Sequence, residues 1–267
     1  MIGAEDWSRR DKTALAAVLG GAFVLRLVYL TEYVRSLPFV DGPVGDSTIY
    51  LEQAFHVARG EFGDATLLAM SPLYGYLLYL AGAPEDLLTP IGLQLLFGVA
   101  STGLLFAAVR SRFGLGAAVA TSALFSTYGA VLFLESKLLS DSLGLLLIIA
   151  AQVAYLSPGF RRGHVGISLA AGLVAGLAVL ARASLVFCAP LLVVAAFVPW
   201  TAAEPVGARA RIRRATLLGL GLGAVLLFNG LWTQHHSGLF VPVVLVSQTL
   251  ERASGDAGRS DSIHDLS

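Results

Sequence analysis

Asp46 follows the turn-like Pro43-Val44-Gly45 and opens a helical pattern that closes at Gly60. Tyr50 lies four residues on and shares its face. A carboxylate in that position can take a proton from a hydroxyl, a role worth roughly 10²–10⁴ in rate. Its plainer reading is a helix N-cap worth about 1 kcal/mol. Arg59 puts a cation at the far end of the same segment. Glu135, Lys137 and Asp141 occupy one break between apolar runs, where Asp141 either caps the next helix or supports an acceptor. Arg182 sits in a second break, and His235 and His236 follow the last apolar run. The adjacent histidines point apart on any regular backbone, so they read as surface groups or as contacts to a phosphate or a carboxylate-held ion. Arg26 lies within the first apolar run, where insertion costs some 2.5–3.5 kcal/mol at full depth. It either snorkels against a carboxylate or serves a lipid phosphate or the active site.

The elements that must position these groups are apolar. Of 267 residues, 56% are hydrophobic and 13% charged, about half the charged share of a soluble domain. The apolar residues come in blocks at 13–31, 67–83, 90–109, 114–134, 142–157, 165–181, 185–200 and 215–233. Blocks of that length suit a hydrocarbon core about 30 Å thick. The formal net charge is zero, so no global field points to nucleic acid. Cys188 is the one cysteine, so no disulfide forms within the chain. Arg9, Arg10 and Lys12 precede the first block as in a secretory signal, but no small-residue cleavage site closes it, and the block reads as a retained span.

Charge decides how many blocks cross. If all eight do, with the N-terminus inside, the inner loops hold seven Lys and Arg and the outer ones ten, Arg209, Arg211, Arg213 and Arg214 among them. That opposes the positive-inside rule. If 67–83 is instead re-entrant or interfacial, eleven fall inside and six outside. Its Pro72 suits a first helical turn, and Tyr74, Tyr76 and Tyr79 suit an interface. The expectation is an all-α integral membrane bundle of about seven spans plus that short helix. It occupies 1–245, with an outer catalytic loop at 32–66 and a polar, disordered or truncated tail at 246–267. Glycines 172, 176, 219, 221 and 223 suit close helix packing. No internal repeat is evident.

Several short motifs then fall in a familiar order. They are Arg26-x-x-Tyr29-Leu30, Asp46-x-x-x-Tyr50-x-x-x-Ala54-x-x-x-Ala58-x-Gly60, Ser71-Pro72-Leu73-Tyr74, Arg112-Phe113-Gly114 and Leu139-Ser140-Asp141-Ser142-Leu143. The glycine-rich run from Gly172 to Arg182 and Gly238-Leu239-Phe240-Val241-Pro242 complete the series. Over roughly 10–245 the order resembles the polytopic GT-C glycosyltransferases, in particular the bacterial relatives of protein O-mannosyltransferases (dolichyl-phosphate-mannose-protein mannosyltransferases) and of the aminoarabinose transferase acting on lipid A.

The resemblance implies a multi-pass cell (inner) membrane enzyme with its active site on the extracytoplasmic side. It would move a sugar, with inversion, from a polyprenyl-phosphate donor to a protein, lipid or glycan acceptor. Asp46 would be the general base or a metal ligand, with a divalent ion as the one cofactor to consider and no nucleotide or organic cofactor. Arg182 and the groups near 235–236 would lie by the donor phosphate, with Tyr50, Arg26, Arg59, Glu135 and Asp141 completing the substrate-binding set. Two departures stand out. Trp232-Thr233 occupies the place of a frequent Arg-Asn pair, and the chain stops where many relatives continue, as a fragment, truncated product or inactive remnant would. The rival classes are a transporter for a lipid-linked or anionic solute and a non-catalytic membrane scaffold.

Overall fold

The structure, a computed structural model, describes residues 7–36, 45–68, 70–83, 85–198 and 207–244. The expected polar tail at 246–267 and most of the turn before Asp46 lie outside these residues. Among the described residues every regular element is helical. In chain order they are α1 (Arg9–Ser36), α2 (Asp46–Ala58), α3 (Pro72–Leu80), α4 (Leu88–Thr127), α5 (Gly129–Glu135), α6 (Asp141–Leu156), α7 (Pro158–Arg161), α8 (Val165–Ala181), α9 (Cys188–Phe197) and α10 (Ala208–Ser237). Short 3-10 turns at Ala65–Leu68 and Ala183–Phe187 precede α3 and α9.

Three of these, α1, α4 and α10, are long and apolar enough to cross a membrane, which marks a membrane protein. At 1.5 Å per residue the 28-residue α1 is about 42 Å long, more than the hydrocarbon core. Its outward residues Phe23, Val24, Leu27 and Val28 are exposed apolar side chains, as on Phe228 and Leu231 of α10. That placement suits lipid and not water.

The 40-residue α4 is not one rod. Gly114, at φ 85° and ψ 177°, interrupts it, a backbone region that glycine enters without strain. Thr102 Oγ1 and Ser126 Oγ, about 36 Å apart along a straight helix, are 3.3 Å apart. The chain therefore folds back at Gly114 into two limbs.

The first limb runs antiparallel to α1. Arg110 Nε meets Asp11 Oδ1 at 2.6 Å at one end, and Arg26 meets Gly98 toward the other. Helices α8 and α10 run parallel along a glycine seam. A Cβ on Gly172 would overlap Leu218 O, and one on Gly221 would overlap Leu169 O. The small residues are thus what lets the two backbones touch.

Block 67–83 departs from a single long helix. After the 3-10 turn and Ser71, Pro72 opens α3, whose nine residues span about 13 Å and cannot reach across a bilayer. Block 114–134 likewise divides at Tyr128 into the second limb of α4 and α5.

Candidate functional site

At one end of the bundle, the start of α2, the start of α6 and the end of α8 enclose a cavity of about 390 Å³. Asp46, Tyr50, Ser71, Ser140, Asp141 and Arg182 all line it. These residues are up to 136 positions apart in the chain, since the cavity draws on both Asp46 and Arg182.

Asp46 is the first residue of α2, and Gly45, at φ 65° and ψ −135°, takes the cap position. No side-chain cap hydrogen bond forms there. The capping reading of Asp46 is therefore corrected: its carboxylate is exposed on the cavity wall and not folded onto the backbone. Tyr50, one turn on, is 4% exposed. Its hydroxyl shares a 2.8 Å hydrogen bond with Ser140 Oγ, and its ring packs edge-on to Tyr74 with centroids 4.9 Å apart. Burial pushes the Tyr50 phenol above its ordinary value, with the Ser140 hydrogen bond opposing, so it stays a neutral hydrogen-bonding group.

Asp141 opens α6 after Ser140 without capping it, and its Oδ1 pairs with Arg182 Nη1. Arg182 ends α8 in an extended conformation, φ −146° and ψ 108°. Its Nε donates to Ser184 Oγ at 3.2 Å, and the next amide, Ala183 N, donates to Ser71 Oγ at 3.0 Å. The short α3 segment is thereby tied to the arginine turn. On the other side of the Asp141–Arg182 pair lies a second cavity of about 240 Å³, walled by Glu135, Leu145, Ile148 and Leu185.

Gln94 holds the 135–142 break in place. It is 1% exposed, and its Nε2 donates to Glu135 O at 3.2 Å and Lys137 O at 2.7 Å. Its Oε1 accepts from the Tyr74 hydroxyl at 2.8 Å and Ser142 Oγ at 3.1 Å. All four hydrogen-bonding positions of the amide are filled, as a buried amide requires. Gln53, 0% exposed, ties α2 to the segment before α3 by donating to Thr66 O at 2.9 Å.

The remaining expected site residues go elsewhere. Arg26 and Glu135 form a buried two-pronged pair, Nε to Oε2 at 2.7 Å and Nη2 to Oε1 at 3.1 Å. Arg26 thus takes the carboxylate-paired reading, buried in the bundle and not snorkelling outward, and Glu135 is engaged with it and not with the Asp46 cavity. Arg59 is the exposed C-cap of α2, away from the cavity. His235 and His236 lie on the last turn of α10, which runs on to Ser237 instead of ending at 233. His236 packs on Trp232 and Phe62 with centroids 4.4 and 5.4 Å apart, and the cavity lining includes neither histidine.

That ring cluster crowns an apolar groove of about 470 Å³ between α3, α8 and α10, lined by Pro72, Tyr76, Leu173, Leu177, Phe228 and Trp232 among others. Trp232 Nε1 donates to the Tyr76 hydroxyl at 3.0 Å. The groove adjoins the Asp46 cavity in the chain, since Pro72 follows Ser71 and Leu180 stands two residues before Arg182.

Sequence reasoning did not single out Gln94 or the histidine of α2, and it named Ser71 and Ser140 within motifs without a site role. His56 Nδ1 lies 2.7 Å from Glu61 Oε2, and its Nε2 lies 3.5 Å from Asp64 Oδ1. An amide alone in an apolar run was the available sign for Gln94, because burying it without partners would cost several kcal/mol in lipid. Asp46 and Asp141 are the carboxylates on the cavity wall. Among the described residues no group of three His, Cys, Asp or Glu is placed to hold a metal ion, so a metal is assigned no step. Compared with family models, with curated proteins and with solved structures, the chain matches none.

Proposed function

We propose that the chain is a membrane glycosyltransferase of the GT-C type that moves a sugar from a polyprenyl phosphate to a hydroxyl acceptor on the extracytoplasmic side. The observation that carries this reading is that Asp46 and Arg182, an exposed carboxylate and a cation from distant helices, line one cavity beside an apolar groove. An anionic headgroup on a long hydrocarbon tail meets both environments at once. Asp46 would take the proton from the acceptor oxygen as that oxygen bonds the anomeric carbon. The carbon–phosphate oxygen bond breaks on the opposite face, and the polyprenyl phosphate leaves against Arg182. Its separation from the acceptor side gives inversion.

Chain direction supports the side assignment: the two limbs of α4 reverse on each other, α6 and α8 follow, and the ten-residue α9 with its 3-10 turn brings the chain back so that α10 parallels α8. With the Arg209–Arg214 cluster and the N-terminal cations at the opposite end from the Asp46 cavity, the positive-inside rule favours an external cavity. The test is incubation of the protein in vesicles with sugar-labelled polyprenyl phosphates and a membrane extract. Donor consumption with label passing to an acceptor is expected. Intact donor across the common hexosyl and pentosyl carriers would contradict the reading.

A further inference from the structure

At the end of the bundle opposite the Asp46 cavity, α7 and the turn after it dock on the first turns of α10. Arg213 Nη2 donates to Arg162 O at 3.2 Å. Arg214, 1% exposed, donates through Nε to Ala196 O at 2.7 Å and through Nη2 to Val198 O at 3.1 Å. It also reaches Arg161 O at 3.4 Å, so it fastens the ends of α7 and α9 to α10. Its neighbours are thereby gathered on one rim: Arg162, Arg209 and Arg213 exposed, Arg211 half-buried. Arg211 Nε is shielded from water and has no acceptor among the described residues.

From 142 to 244, leaving aside Arg182 at the other end, the chain carries six arginines and one carboxylate, Glu204. Glu204 lies outside the described residues, and wherever it sits the rim keeps a large excess of positive charge. Arg112, at the fold-back of α4, extends the same end by donating to Leu156 O at 2.9 Å. Like charges gathered this closely repel unless anions join them. Exposed apolar side chains stand among them: Phe113 beside Arg112, Ile212 between Arg211 and Arg213, and Val165 at the start of α8. A free phosphate has no use for these, whereas a phospholipid lays its acyl chains on them.

We propose that this rim is a binding site for anionic phospholipid headgroups, with phosphate held by Arg162, Arg209 and Arg213 and with Arg211 as the inner donor. It stands independently of the transferase reading, since it needs only a membrane-embedded chain.

The test is native mass spectrometry of the full chain released from vesicles of phosphatidylcholine mixed with phosphatidylglycerol. The wild-type protein should retain phosphatidylglycerol in preference to phosphatidylcholine. Each arginine near an anionic surface is worth roughly fivefold, so Arg162→Gln/Arg209→Gln/Arg213→Gln should lose about a hundredfold in retention. The corresponding triple Lys variant should keep most of it. Should the Gln triple variant fail to fold, Arg209→Gln alone, exposed in the first turn of α10, should show the fivefold drop. Equal retention of the two lipids by the wild type overturns the proposal, as does undiminished retention in the Gln variants. Displacement of the lipid by inorganic phosphate at equal concentration overturns it too, because the site would then be one for a free anion.

Discussion

Glu135→Gln is the perturbation whose size the structure fixes best. The Arg26 and Glu135 side chains are 2% and 6% exposed and meet through two hydrogen bonds. The amide would leave the Arg26 charge buried without a counter-charge, keeping one oxygen to accept from the guanidinium while its NH2 faces the other donor, with Ala22 O at 3.3 Å as a further acceptor. Breaking a buried pair from one side costs about 3–5 kcal/mol. At about 2–4 °C per kcal/mol for a chain of this size, the melting temperature should fall by about 6–20 °C. Tryptophan fluorescence on heating in detergent micelles reads this directly. Arg26→Met/Glu135→Met removes both charges and should recover most of the loss, because well-packed apolar replacements of buried pairs are often near neutral. Gly98→Ala should resemble Glu135→Gln, since its Cβ would overlap both Arg26 Nε and Glu135 Oε1. A melting temperature for Glu135→Gln within the roughly 3 °C that 1 kcal/mol produces would refute the reasoning. So would a double variant no more stable than the single one.

Three further outcomes follow from the packing and the loops. Gly172→Ala should cost about 1–3 kcal/mol by forcing α8 from the Leu218 carbonyl, whereas Gly219→Ala, with nothing within 4 Å of its Cβ, should be neutral or slightly stabilising; equal melting temperatures would sink the seam. Gln94→Leu strands groups worth about 1–3 kcal/mol each, and Tyr74→Phe should then add nothing, although it destabilises the wild type; additive losses in the double variant would contradict the shared acceptor. Burial raises the Asp64 carboxyl, but hydrogen bonds from Thr66 and the charge of His56 outweigh it and leave it below its ordinary value. A lowered folded-state value stabilises above the unfolded value of about 3.9 and is lost as pH falls through the folded one. Hydrogen exchange at the Thr66 amide, 2.7 Å from Asp64 Oδ1, should therefore quicken as pH drops below about 4, relative to a helical reference amide, and a constant ratio would count against it.

Much of the bundle was legible because a bilayer demands long apolar segments, and those show in composition alone. Charge counting leads to the expectation that block 67–83 does not cross, and α3 is nine residues long. Asp46, Asp141 and Arg182, expected on one face, each stand at a helix end and line one cavity. What the sequence hid was which partner each group would choose. Arg26 called for a carboxylate, but choosing Glu135, 109 residues on, depends on Gly98 leaving room between them. The histidines were misplaced because α10 outruns its apolar block, and Phe228, Trp232 and His236, spaced by four, then form one face of rings. Asp46 had the residue type of a cap, but Gly45 took the cap's backbone position.

The most direct test of the central claim compares Asp46→Asn with the wild type in vesicles loaded with a labelled polyprenyl-phosphate sugar. Asp46 is exposed and makes no capping bond, so the substitution should leave folding and insertion unchanged. The account predicts transfer by the wild type and a loss of roughly 10²–10⁴ in rate for Asp46→Asn, with donor still retained by the variant. Transfer at the wild-type rate by Asp46→Asn would contradict it.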